Sequence, residues 1–187
     1  LEDIPLSDAL PMMENMGLRV ISEHPYRVES AGGVAFIQDF EVEPAHGPLA
    51  IDAVDERFEE AFARVWHGQA ENDGFNRLVL AAGLDWKQVS VLRGYCKYLL
   101  QIGVPFSQAY VEGTLNRYPL LARLIVELFE ARFDPAPATD KATQDAQLAQ
   151  FKALAGDDAA TGKLLDGVVK ARAGNRDARM ALVHDTL

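Results

Sequence analysis

The most polar and specific-looking run in the chain is Glu71-Asn72-Asp73-Gly74-Phe75-Asn76-Arg77, set between two apolar, helix-patterned segments. Two carboxylates and an arginine at this spacing are the residue types of general acid and base work or of a hard-cation site. They do such work only where the side chains converge in a concave pocket with perturbed titration. The same residues also have a structural use. In it, Asn72 or Asp73 caps a helix, Gly74 makes a turn and Arg77 pairs with a carboxylate. We adopt the structural use and assign the chain no catalytic, cofactor-binding or metal-binding residue. A small enzyme built on Glu71, Asp73 and Arg77 stays as the alternative.

Other reactive side chains are scattered. The four histidines, His24, His46, His67 and His184, have no partner one helical turn away and no cysteine pair nearby, so they read as surface or loop residues rather than zinc ligands. The single cysteine, Cys96, lies on an apolar helical face, where it serves as a small buried hydrophobe. A dinucleotide-binding turn needs glycines that let the backbone approach the pyrophosphate, and neither G-x-G-x-x-G nor G-x-x-x-x-G-K occurs. Trp66, Trp86, Tyr95, Tyr98, Phe106 and Tyr110 can line a pocket, but at helical spacing aromatics belong more often to the core.

These residues must be held by elements that the pattern outlines. Leu6, Leu10, Met13 and Met16 mark a first helix, with Ser7 as its cap and Gly17 as its stop. From 18 to 29 the residues alternate and are β-branched, 30–33 supply turn chemistry, and Val34, Phe36, Phe40 and Val42 alternate again. That predicts a β-hairpin in which Pro25 marks a bulge or an edge strand. A loop at 43–50 leads to the stripe Ile51, Val54, Phe58, Phe62, Val65 and Trp66, an amphipathic helix ending near Gly68 and expected to bury its aromatics. Asp85 and Gln88 form a capping-box signature for a helix whose face runs through Val89, Leu92, Cys96, Leu99 and Leu100 to Gly103. Ser107 caps the next helix, and Pro119 suits the first turn of another carrying Leu121, Leu124, Ile125, Leu128 and Phe129. Residues 134–140 read as a linker, followed by weaker helical patterns at 144–154 and 164–171.

The 187 residues, 49% of them apolar, suit one domain or a small subdomain joined to a larger one. A net charge of −10 without clustered Lys or Arg argues against a nucleic-acid partner. One cysteine points to a reducing cytoplasm, and no apolar stretch reaches the roughly 20 residues of a membrane span. The chain begins with Leu1 and ends on the apolar run 180–187, as a segment cut from a longer polypeptide would.

Three stretches carry a resemblance. Residues 10–26, LPMMENMGLRVISEHPY, look like the signature preceding the catalytic domain of the large bacterial NAD-specific glutamate dehydrogenases. Residues 62–91, FARVWHGQAENDGFNRLVLAAGLDWKQVSV, and 95–135, which open YCKYLLQIGVPFSQAY, are similar to the helical segments that follow in that family. After Pro135 the sequence departs from the family pattern.

The resemblance implies an α+β, mainly α fold, with a partial ACT-like helix and hairpin at 1–50 and a helical domain at 51–187. The helix, hairpin and second helix resemble the α-β-β-α part of a βαββαβ unit whose first strand would precede Leu1. It further implies a non-catalytic regulatory or architectural segment of a cytoplasmic, homo-oligomeric enzyme. That enzyme converts L-glutamate, NAD and water to 2-oxoglutarate, NADH and ammonium. NAD belongs to the parent enzyme and not to this segment. The implied partners are other domains and subunits of that enzyme and a candidate amino-acid effector, with no membrane. A stand-alone helical adaptor for protein interaction is the runner-up.

Overall fold

The computed structural model describes residues 4–30, 32–45 and 55–133, together with isolated positions between 145 and 170, all of them helical. They form a mainly helical α+β fold. The expected linker at 134–140, Ile51, Val54, His46 and His184 lie outside the described residues, as does most of the two later helical patterns.

Helix α1 (Leu6–Asn15) begins after Pro5, whose extended backbone occupies the cap position. Ser7 is not the cap: it lies inside the first turn, and its Oγ donates to Asp8 Oδ1 at 3.2 Å. The Pro5 carbonyl accepts the first helical hydrogen bond, from Asp8 N at 2.9 Å, so the boundary falls before Ser7. The helix buries Ala9 and is followed by Met16, fully buried, while Leu6 is exposed. Gly17 then adopts φ +87° and turns the chain into the sheet.

Strand β1 (Leu18–Ser30) pairs antiparallel with β2 (Gly33–Pro44), from Leu18 opposite Pro44 to Ser30 opposite Gly33. The register shifts between Val20 and Ser22, whereas Pro25 faces Gln38 in unbroken register. Pro25 therefore makes no bulge. Among the described residues the sheet has two strands, so each strand keeps an open side on which proline is tolerated. Two hydrogen bonds tie the hairpin to the residues flanking α1: Ala45 N donates to the Gly17 carbonyl at 2.8 Å, and Gln38 Nε2 donates to the Ile4 carbonyl at 2.6 Å.

Helix α2 (Asp55–Trp66) buries Ala61 and Val65. Phe58, Phe62 and Trp66 stack one turn apart, with centroids 6.0 and 6.3 Å apart, and are only half-buried. The expected aromatic core stripe is thus a ladder flanking a smaller buried seam. A 3-10 turn (Gly74–Arg77) passes into the short α3 (Leu78–Ala82), which stops at Gly83.

Helix α4 (Trp86–Gln101) carries the full capping box. Gln88 N donates to Asp85 Oδ1 at 2.8 Å, and Asp85 N donates to Gln88 Oε1 at 3.0 Å. Its buried face, Val89, Leu92, Arg93 and Cys96, ends one turn earlier than expected: Leu99 and Leu100 are exposed. Helix α5 (Gln108–Arg117) is capped by Ser107, whose Oγ accepts from Tyr110 N at 3.2 Å. The fully buried Phe75, Leu78, Val79, Leu84, Val89 and Cys96, with Met16, supply the core of this first compact unit, Leu1–Arg117.

A second unit, Tyr118–Leu187, contains α6 (Pro119–Phe133), with the proline in its first turn and Ala122, Leu124 and Val126 buried. No helix of the described residues is long and apolar enough to cross a membrane.

Candidate functional site

The polar run at 71–77 lies where α4 and α5 meet the 3-10 turn, and its centre is a residue outside the run. Arg93 projects from the buried face of α4 with a side chain only 6% exposed, facing Asp73 at 14%. Its guanidinium grips the carboxylate in a fork: Nε donates to Asp73 Oδ2 at 2.7 Å and Nη2 to Asp73 Oδ1 at 2.8 Å. Nη2 also donates to Asn76 Oδ1 at 3.0 Å and to the Glu71 carbonyl at 3.4 Å. Asn76, itself buried, donates Nδ2 to that same carbonyl at 2.8 Å. The guanidinium carbon lies 5.9 Å from the Phe75 ring centroid, an additional favourable contact for a desolvated cation.

Asp73 caps the 3-10 turn by accepting from Phe75 N at 3.1 Å on Oδ1, and its Oδ2 accepts from Gln108 Nε2 at 3.4 Å. Both oxygens are therefore occupied twice. Gln108 also donates to Glu112 Oε1 at 2.8 Å, and Asn116 Nδ2 donates to the Gly74 carbonyl at 2.9 Å, so α5 closes the other side. A Cβ on Gly74 would meet Glu112 Oε2 at 2.5 Å, so a larger residue there would make that carboxylate, the flexible end of its side chain, swing aside. Glu71 is exposed, pairs with Lys97, and has Oε2 at 3.7 Å from Arg93 Nε.

Both Asp73 oxygens are thus engaged by the fold itself, and the expected capping role falls to Asp73 rather than to Asn72. Arg77 departs from expectation. Among the described residues it makes no carboxylate pair; its Nε donates to the backbone carbonyl of Glu14 at 3.4 Å, and its stem lies over Gly17. Arg93 takes the carboxylate because it arrives from α4 inside the core, whereas Arg77 points toward α1. The Asp73–Arg93 pairing had one sequence signal, an arginine on the otherwise apolar face of Val89, Leu92 and Cys96.

Burial pushes the Cys96 thiol up, with the nearby carboxylates of Glu112 and Asp73 adding to the effect. That favours the inert thiol over the reactive thiolate. Tyr95, Tyr98, Phe106 and Tyr110 are not core: all four are more than two-fifths exposed, with Phe106 and Tyr110 stacked at 4.9 Å. Trp66 and Trp86 are half-buried, and Trp86 lies under Arg64 at 5.0 Å and donates Nε1 to Glu60 Oε1 at 3.0 Å. His24 and His67 are exposed, and among the described residues no group of three His, Cys, Asp or Glu stands close enough to hold a metal ion. Among the described residues the positive-φ glycines, Gly17, Gly33, Gly68, Gly83 and Gly103, end helices or turn a hairpin.

Residues 1–55 match the family model described as glutamate dehydrogenase, ACT3 domain, and residues 70–135 match the one described as glutamate dehydrogenase, helical motif 3. The chain is 50% identical over 135 residues to an NAD-specific glutamate dehydrogenase of Halomonas elongata, covering 71% of this chain and 8% of that protein. It is 41% identical over 173 residues to one of Mycobacterium tuberculosis (89% of this chain, 11% of that protein) and 44% identical over 132 residues to one of Pseudomonas aeruginosa (70% and 8%). It thus spans about a tenth of the length of these relatives. With two family modules in chain order and close identity across both, the chain belongs to the NAD-specific glutamate dehydrogenase family.

Proposed function

We propose that this chain is a non-catalytic, architectural and regulatory segment of an NAD-specific glutamate dehydrogenase. The parent enzyme oxidises L-glutamate with NAD and water to 2-oxoglutarate, NADH and ammonium, and its NAD and catalytic side chains are supplied by other parts of the polypeptide. The observation that supports this reading is the closure of Asp73 between Arg93, Gln108 and the Phe75 amide, an arrangement that suits a structural fastening. Its domain division is the 1–50 hairpin module followed by the helical domain from 51 to 187. Its partners are other domains and subunits of the same homo-oligomeric, cytoplasmic enzyme. The exposed Tyr95, Tyr98, Ile102 and the stacked pair Phe106 and Tyr110 favour that assignment, since large apolar side chains left in solvent are contact material.

Two measurements test it. Calorimetric titration of the chain with NAD and with NADH should give no saturable heat, and micromolar binding would overturn the assignment. In the parent enzyme, Asp73→Ala should lower stability while leaving glutamate oxidation by the folded fraction nearly intact. Unchanged thermal stability with a rate loss beyond about tenfold, the signature of a lost transition-state contact, would make Asp73 catalytic.

A further inference from the structure

The hairpin module and the helical module meet at the 71–77 turn, and three elements reach into it from different sides. From α1, Asn15 Nδ2 donates to Asn72 Oδ1 at 3.0 Å and the Glu14 carbonyl accepts from Arg77 Nε at 3.4 Å, beside the fully buried Met16. From α4 come Arg93 and Lys97, and from α5 come Gln108 and Asn116. The turn has little shape of its own, because four residues of 3-10 helix make few and poorly aligned hydrogen bonds. Its shape comes from one guanidinium on which Asp73, Asn76 and the Glu71 carbonyl converge.

We propose that the 71–77 turn is a joint that makes the hairpin module and the helices α3, α4 and α5 of the same compact unit one cooperative unit, with Arg93 as its key. Asn72 and Arg77, the residues that hold α1, bracket the two side chains that Arg93 holds. Displacing Asp73 and Asn76 therefore moves both anchors of α1 together. Arginine suits the role because its planar fork fixes direction as well as distance, which the point charge of a lysine does not. A buried charge that loses its partner is strongly destabilised, so the joint is closed or broken rather than slack. The inference deepens the architectural reading and rests on it: a segment that passes contacts between modules needs a stiff element with discrete arrangements.

Native-state hydrogen exchange on the 187-residue chain tests the joint. Arg93→Lys keeps the charge and loses the fork. It should speed exchange by about tenfold or more in α1 and the hairpin as well as in α4, since amides of one cooperative unit open together. Acceleration confined to α4 and α5, with wild-type rates in α1 and the hairpin, would overturn the proposal. The pair Asn15→Ala and Arg77→Ala leaves the Arg93 site intact and guards against failure of the first variant to fold. It should speed α1 and the hairpin while α4 keeps its rates, and unchanged α1 rates would also overturn the joint. Neither readout involves NAD or glutamate, so NAD binding would sink the functional assignment while leaving the exchange coupling to stand or fall separately.

Discussion

At Asp73 a single carboxylate does two jobs, and the size of its loss separates them. A lone cap is worth about 0.5–2 kcal/mol. Removal of one member of a buried ion pair costs about 3–5 kcal/mol, because the other charge stays buried without its partner. Asp73→Ala should therefore lose about 3 kcal/mol or more in a urea melt, and Arg77→Ala, which gives up one long bond to a backbone carbonyl, under about 1 kcal/mol. Similar losses for the two would deny Arg93 its role as the partner that matters. Cys96 offers a test by pH. Its thiol titrates higher in the folded chain than in the unfolded one, mainly through burial. Below the unfolded pKa both states hold the proton and stability is unaffected; as pH rises past about 8.5, the unfolded thiol ionises first and stability falls. Comparing wild type with Cys96→Val in thermal melts from pH 7 to 10, the wild type should lose more. Parallel curves would remove Cys96 from the account.

At the scale of elements, helix ends and faces decide what each segment contributes. Asp85→Ala removes a capping box and should cost about 1 kcal/mol, read as a shift in denaturant midpoint without change of slope. On α2 the buried seam is Ala61 and Val65, while the Phe58, Phe62 and Trp66 ladder is half in solvent. Phe62→Ala should accordingly lose about 1–2 kcal/mol rather than the roughly 3–5 kcal/mol of a fully packed phenylalanine. A loss at the upper figure would mean that the ladder is core. The hairpin poses the opposite case. Ile21, Tyr26, Val28 and Ile37 are all more than two-fifths exposed on two long strands, each with an open side among the described residues. Such edges recruit other chains. Light scattering should show association that rises with concentration and falls in Ile37→Lys; a monomer at every concentration in both would mean that the strands need no cover.

For the whole molecule, local order and tertiary order come from different parts of the sequence. The helix-hairpin-helices order, the capping box at Asp85, the Ser107 cap and the Pro119 start were all legible, because each depends on residues within a few positions of one another. Periodicity likewise gave Val89, Leu92 and Cys96 as one buried face. The family was legible too, since identity over long stretches survives without any coordinates. The partner of Asp73 was not. Arg77 stands four residues away and Arg93 twenty, and the place of Arg93 on an apolar face says that it needs a partner without saying which carboxylate that is. Exposure of Tyr98, Leu99, Ile102 and Tyr110 was equally hidden, because an apolar residue at helical spacing looks the same whether or not another element comes to cover it. The sequence by itself determined the elements, whose hydrogen bonds close within a turn or across a hairpin. Only the tertiary structure decided which charges pair and which faces stay bare, since those depend on how separate elements meet.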